Sequence, residues 1–174
     1  MRTVSANMRE VMQATEHDTV PILLLTISHN SFSDGPIRVS SDPTQRISAD
    51  DYEVIYGTVS RSNNYLFYPM KVKLPTDEED GAPKSSLVVD NVSRWLTAAV
   101  ESIDPRDPVS IDMEVVLSTS VDTVEISWPD FTLKNVNYDM FEVRGEFSMD
   151  ALFGEPVPAH RMTPGWFPGA HDAN

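Results

Sequence analysis

Serine and histidine side chains near an aspartate are the first residues of this sequence to test for chemistry. Ser28, His29 and Ser31 precede Asp34 within seven residues, and a serine nucleophile needs a histidine base that an acid orients. Such side chains must converge in space, however, and the Gly-x-Ser-x-Gly turn that presents a nucleophile is absent from the sequence. We therefore expect a solvated or capping role for His29, and equally for the three histidines that stand in unrelated contexts, His17, His160 and His171.

Acidic residues are numerous, but their spacing is not that of a metal site. The run from Asp77 to Asp80 lacks the alternating ligand positions of a calcium-binding loop, and Asp42 with the pair at 50–51 fits no better. Glu142 and Glu146 occupy the polar positions of an alternating segment, where solvation is the ordinary outcome. We expect a solvated acidic loop, no metal and no cofactor.

Aromatic residues are concentrated between positions 52 and 68. At the spacing of strands, such side chains more often form core or interface than a platform for sugars or bases. The residues concerned are Tyr52, Tyr56, Tyr65, Phe67 and Tyr68.

Composition excludes several classes of function. The 174 residues contain no cysteine, which removes disulfides, thiol catalysis and cysteine-ligated metal sites. With 27 acidic and 13 basic residues, the formal net charge of −14 repels nucleic-acid phosphate and anionic membranes. The apolar run at 20–27 is too short to span a bilayer, and the polar N-terminus lacks a signal-peptide core. We expect the protein to be made in the cytosol and kept there unless something else carries it out.

The elements that must position these residues are mostly strands. A helical apolar spacing follows Ser5, a good N-cap, and predicts a short helix over 5–15. Alternating or continuous apolar runs bounded by turn residues predict the strands. These runs are 19–29 with its hairpin partner 37–42, two or three strands within 52–74 with interruptions at Gly57 and 62–64, the start of 85–92, 109–119, a strand pair within 123–139 with Pro129 at a bulge or edge, and 140–150.

The clearest helical pattern lies at about 90–104. Its apolar residues recur at i, i+3, i+4, i+7, i+8 and i+11, which predicts one face packed on a sheet. Asp90 or Asn91 can cap its start, and Pro105 ends it. The stripe comprises Val92, Trp95, Leu96, Ala99, Val100 and Ile103.

Strict alternation also assigns faces in the second half. One face of 109–119 carries Val109, Ile111, Met113, Val115 and Leu117, and one face of 140–150 carries Phe141, Val143, Gly145 and Phe147. Roughly eight strands and two helices predict an α+β domain dominated by an antiparallel sheet or barrel, over residues 1–154.

Residues 155–174 are predicted as an extended C-terminal arm. Its prolines exclude a regular helix, and its aromatic residues are costly to leave in water. We expect the arm to lie on an adjacent subunit with Trp166 and Phe167 as anchors, the alternative being that it covers an edge of its own sheet. The subunit-interface candidates are Arg161, Met162, Pro164, Trp166, Phe167 and Pro168.

Several segments together resemble a known family. The segments "APKSSLVVDNVSRWL" and "GEPVPAHRMTPGWFPG" are the most specific, with "PILLLTISH" and "VSIDMEVVLSTSVDTVEISWPDF" beside them. Through these segments, the chain resembles small tail proteins of long-tailed bacteriophages and prophages, and the resemblance covers nearly its whole length. The middle block is similar to the N-terminal domain of the lambda-type minor tail protein L, a tail-tip hub protein.

The resemblance implies a non-enzymatic structural protein of the virion, at the distal end of the tail. It implies a tail-tube-like β-sandwich or barrel with one flanking helix, in a ring of three or six copies that joins the tail tube to the other tip proteins. DNA would pass through the lumen without specific binding. The iron–sulfur cluster of the lambda-type protein is not carried over, because this chain has no cysteine.

Two other functions stay open from the sequence. One is a tail-associated enzyme that degrades the cell wall, although no matching set of catalytic residues is recognised. The other is a receptor-binding module, in which the aromatic residues from Tyr65 to Tyr68 form the contact surface.

Overall fold

Ten strands and two short helices form in the part of the chain that the computed structural model describes, residues 5–14, 18–33, 35–49, 54–75, 84–90, 95–104 and 106–149. The helices are α1 (Ala6–Gln13) and α2 (Trp95–Glu101). The strands are β1 (Pro21–Ser28), β2 (Ile37–Ser40), β3 (Gln45–Ala49), β4 (Val54–Ser60), β5 (Asn63–Phe67), β6 (Met70–Lys73), β7 (Lys84–Asp90), β8 (Ser110–Leu117), β9 (Ser120–Tyr138) and β10 (Glu142–Ser148). Neither of these helices is long and apolar enough to cross a membrane.

All ten described strands belong to one mixed sheet in the order β3-β4-β5-β2-β1-β8-β9-β10-β7-β6. Neighbouring strands are antiparallel except β2 and β5, which run parallel through two aligned residue pairs, Val39 with Leu66 and Ser40 with Phe67. The predicted α+β class with a dominant antiparallel sheet is confirmed at this level.

The sheet is strongly curved. In a flat sheet, β2 and β7 would be about 24 Å apart, because five spacings of about 4.8 Å separate them. Yet Val39 of β2 and Val89 of β7 line the same apolar cavity of about 60 Å³, together with Val100 and Ile103 from and beyond α2. The strands from β2 to β7 therefore curl around a common core, which α2 closes on one side.

Two apolar clusters lie on opposite faces of β1 and β8. The larger one includes Leu25 and Met113, and it contains the edge-to-face pair of Phe131 and Phe147, whose ring centroids are 5.4 Å apart. The smaller one joins Ile22, Leu24 and Val116 to Tyr65 of β5. The hairpin of β4 and β5 therefore covers the face of β1 and β8 that points away from the main core.

Strand alternation explains the main core. All five apolar residues predicted on one face of 109–119 are buried, from Val109 to Leu117. Because successive side chains of a strand point to opposite faces, this period of two places each of them toward the core. The same segment pairs with the whole of β1, from Pro21–Leu117 to Ser28–Ser110.

The N-terminal helix forms as predicted. Ser5 has extended backbone angles, and its Oγ accepts a hydrogen bond of 3.1 Å from the backbone N–H of Met8. This bond satisfies one of the donors that the first turn leaves without an intrahelical partner. Met8 itself is buried in the main core, so both the cap at Ser5 and the packing of Met8 stabilise the helix.

The β4–β5 hairpin is fastened at its turn to β8 and β9. Arg61 and Ser62 both have left-handed backbone angles, as a two-residue turn of this type requires. The Arg61 guanidinium makes two hydrogen bonds to the Glu114 carboxylate, and the Arg61 backbone N–H donates to Asp122 Oδ1 at 2.6 Å. The hydrogen bonds with Glu114 raise the pKa of Arg61 above its ordinary value.

Several predicted boundaries are wrong. The helix predicted at about 90–104 is described from Trp95 to Glu101. Asp90 cannot be its N-cap, because Asp90 ends β7 and pairs with Glu142. Residues 91–94 and Pro105, which include the other predicted cap and the predicted stop, lie outside the described residues. Gly57 does not interrupt a strand, because β4 continues through it. Strand β3 was not predicted, since its exposed edge position removes the apolar pattern that marks a strand.

The predicted strand pair at 123–139 is one long strand, β9. The bulge predicted at Pro129 is confirmed: β8 residues Ile111 and Met113 pair with Phe131 and Trp128, so one extra residue is inserted beside the proline. Asp130, next in the chain, has a left-handed φ of 59°. The bulge lets the strand pass a residue without a backbone donor and keep its pairing on both sides.

Candidate interaction surface

His29 is used locally in a turn. Its Nδ1 accepts a hydrogen bond of 3.1 Å from the Ser31 backbone N–H, and its ring packs edge-on against Phe32. The nitrogen that an acid would orient in a catalytic triad is therefore engaged by backbone. Asp34 and the other three histidines lie outside the described residues.

Three of the acidic residues considered in the sequence form local hydrogen bonds or an ion pair. Asp42 accepts hydrogen bonds from Thr44, and Glu146 accepts one of 3.1 Å from Asn135 Nδ2. Glu142 forms an ion pair with Arg144. Over the described ranges, no group of three or more histidine, aspartate or glutamate side chains is arranged to hold a metal ion; the acidic runs at 50–51 and 77–80 lie outside those ranges.

The predicted aromatic group is split by the fold. Tyr65 is 3% exposed in the smaller apolar cluster, whereas Tyr56 on β4 is 47% exposed. Phe67 and Tyr68 are half-buried, and Tyr52 lies outside the described residues. Tyr65 therefore belongs to the core rather than to a surface platform.

Three exposed apolar residues lie together at the tip of the β9–β10 hairpin. Phe141 is 75% exposed, Met140 is 68% exposed and Tyr138 is 49% exposed. The alternation that predicts Phe141 on the buried face of β10 is wrong at this residue, because β10 begins at Glu142 and Phe141 belongs to the turn. We call Tyr138, Met140 and Phe141 the hairpin tip.

Asp139 fixes the conformation of the hairpin tip. Its Oδ1 accepts hydrogen bonds from the backbone N–H groups of Phe141 at 2.7 Å and Glu142 at 2.8 Å, while its own N–H donates to the Glu142 carbonyl at 2.9 Å. The two backbone donors, Phe141 first, lower the pKa of the Asp139 carboxyl below its ordinary value. The turn thus presents Met140 and Phe141 in a defined geometry.

The sequence contains a signal for this tip that the predictions did not use. The segment "NYDMFE" places an aspartate between two alternating segments, which is the composition of a turn in which the side chain binds the following backbone N–H groups. Apolar residues inside such a turn cannot share the buried face of the strands that flank it.

The predicted arm interface has no described counterpart. Arg161, Met162, Pro164, Trp166, Phe167 and Pro168 lie outside the described residues, as does the predicted boundary between 154 and 155. Their role at a subunit interface stays a prediction.

Comparison with known families gives a match over most of the chain. Residues 7–162 match the model of a family described as a domain of unknown function, DUF1833. The chain belongs to the DUF1833 family. The match extends across all ten strands of the curved sheet and the hairpin tip, so these features lie within the family's own segment. No curated protein matches the chain.

Proposed function

We propose that this chain is a structural subunit of a bacteriophage tail tip. In this role it forms a baseplate hub or distal tail ring, joins the tail tube to the other tip proteins, and lines the channel through which DNA passes. It acts by assembly rather than by catalysis, and its place is the distal end of the virion tail.

The hairpin tip is the observation that carries this proposal. Met140 and Phe141 are two strongly exposed apolar side chains in a turn that three hydrogen bonds hold. Their exposure to water is unfavourable, and contact with another protein surface would remove it. A turn that is ordered beforehand also loses less conformational entropy on association. These properties favour a subunit of an assembly.

The charge of the chain supports the channel role. A net charge of −14 gives the assembled subunits a surface that repels phosphate, so DNA can pass without adhering. The curved sheet with a helix on one side supports the finer fold that the resemblance implies, a tail-tube-like sandwich or barrel. An experimental structure of the assembled ring tests that fold.

The proposal is tested by the copy number of the chain in purified tails, with native mass spectrometry of the isolated protein. We expect three or six copies per tail, since closed rings are the usual form of such assemblies. A monomer at all concentrations that is also absent from virions would refute the proposal.

A pair of matched variants tests the part that the hairpin tip plays. M140S/F141S should remain folded, because both side chains are exposed, and should lose assembly. M12S removes an equally exposed methionine from α1 and should assemble normally. Equal assembly by both variants would show that the hairpin tip is not the contact.

A further inference from the structure

The cavity inside the main core has apolar walls. It measures about 60 Å³, and every described residue on its walls is apolar or glycine. The walls come from β1, β2, β7, β8, β9, β10 and α2, with Phe32 from the loop between β1 and β2. Leu25, Val39 and Ile111 on these walls are at most 1% exposed, so this part of the cavity lies deep in the molecule.

Gly145 leaves one wall of the cavity without a side chain. It is buried in β10 and aligned with Leu87 of β7 on one side and with Val136 of β9 on the other. All three residues line the cavity. The missing side chain at position 145 therefore leaves space beside Leu87 and Val136 that these two side chains do not fill.

Water is a poor occupant of this cavity. A single water needs only about 10–15 Å³ of such space, but a buried water also needs two to four polar partners. The apolar side chains of the walls offer none, and the backbone groups of the surrounding strands pair with one another in the sheet. The cavity is therefore dry, and its wall atoms lack dispersion contacts on one side. An apolar occupant restores these contacts and breaks no hydrogen bond.

The volume of the cavity limits the size of its ligand. A dry apolar cavity of about 150 Å³ holds benzene, which corresponds to about 25 Å³ for each carbon. At the same ratio, about 60 Å³ holds about two or three carbons, or one xenon atom. Aromatic rings and long alkyl chains are too large for this space.

An open groove lies against the cavity beside α2. The groove measures about 480 Å³ and shares five wall residues with the cavity. Four of them are half-buried and one, Val109, is 5% exposed, so these side chains separate the groove from the core. The shared residues are Val100, Ile103, Val109, Leu133 and Val136.

We propose that the core cavity is a binding site for a compact aliphatic molecule of about two or three carbons, which enters from the groove beside α2. The inference does not depend on the proposed assembly function, because it concerns the core rather than the hairpin tip. A ligand that binds only the folded chain also stabilises it by mass action.

Xenon is the probe for this site, and methyl NMR under xenon pressure is the measurement. We expect saturable chemical-shift changes for the methyl groups of Val39, Val89 and Ile111, with helium at the same pressure as the control. Methyl groups of the smaller cluster, such as those of Ile22 and Val116, should shift weakly and in proportion to pressure. Equal, unsaturated shifts in both clusters, or a nuclear Overhauser effect between the cavity methyls and a bound water, would overturn the inference.

Two leucine variants of α2 separate filling of the cavity from a change in the helix. A99L directs three further carbons toward the cavity, because Ala99 lies on its wall, and should abolish the saturable shifts. A98L makes the same change at an exposed position of the same helix and should keep them.

A smaller substitution keeps the test decisive if A99L does not fold. V143I adds one methyl group from β10, which takes about 25 Å³ of the cavity, and should weaken xenon binding by about tenfold or more. Xenon binding of unchanged strength in the folded variants that fill the cavity contradicts the inference.

Discussion

Asp139 shows how one exposed carboxylate can determine what a surface presents. Its two hydrogen bonds from backbone N–H groups set the turn, and the turn sets the directions of Met140 and Phe141. Asp139 therefore acts on Met140 and Phe141 through the backbone of the turn. Removing the carboxylate changes the shape of the tip and leaves its apolar composition unchanged.

The hydrogen bonds of Asp139 should depend on pH in a defined direction. Its folded-state pKa is lowered, so its contribution to stability is complete above the unfolded value, ordinarily 3.8, and is lost as the pH falls through the lower folded-state value. NMR titration of the Phe141 and Glu142 amides should give a midpoint below 3.8.

The D139N variant is the control for this titration. Any change at the two amides that remains in D139N belongs to neighbouring groups such as Glu142, and it is subtracted. A midpoint for Asp139 at or above the ordinary value would contradict the hydrogen-bonding account.

Gly57 is required by close packing rather than by its φ angle. A Cβ at this position would overlap the Tyr65 carbonyl oxygen and approach Ile47 Cδ1 to 2.7 Å. We expect Gly57→Ala to lower the free energy of unfolding by about 1–3 kcal/mol, the usual cost of overpacking, measured by urea denaturation.

Gly145→Ala is the matched control for that measurement. It is also in a strand, but its added Cβ would meet only the flexible end of Leu133, at 3.2 Å. It should cost less than Gly57→Ala. An equal cost at both positions would indicate a general effect of alanine in these strands.

At the scale of elements, the β4–β5 hairpin combines a strained turn with an ion pair. Arg61 and Glu114 are both partly exposed, 37% and 20% for their side chains, so solvent screens their attraction. A double-mutant cycle with R61A and E114A should give a coupling of less than about 1 kcal/mol that shrinks with added salt. A larger coupling that salt leaves unchanged would show that the pair is effectively buried.

Local pattern determined which elements could be predicted. The alternation from Val109 to Leu117 and the helix cap at Ser5 are short-range signals, and both predictions are confirmed. Strand β3 and the turn at the hairpin tip were missed, because an edge strand and a turn lack a buried face that would impose a period. Asp90 was one of two predicted caps, and the local pattern does not show that it pairs with Glu142, a residue distant in sequence.

Strand pairing and packing between distant segments could not be predicted from the sequence. Nothing in the local pattern of 37–40 and 63–67 indicates that β2 and β5 pair in parallel, or that Tyr65 reaches the far face of β1.

At the scale of the whole molecule, the sheet has two parts joined by a narrow connection. Strands β3, β4 and β5 continue the sheet through only two aligned residue pairs with β2, whereas β1 and β8 share eight. We expect native-state hydrogen exchange to be faster in β4 and β5 than in β1 and β8. Equal protection in both parts would show that the sheet opens as one unit.

The pairing of β1 with β8 also has a consequence for how the chain is made. Ile22 is aligned with Val116, so the central strand of the main core waits for a partner that is synthesised more than ninety residues later. Until then β1 has β2 as its neighbour, and its leucines remain open to other chains. Closing so long a loop slows folding and leaves an apolar strand exposed during synthesis. We expect chaperones that bind extended apolar segments to recognise the nascent chain.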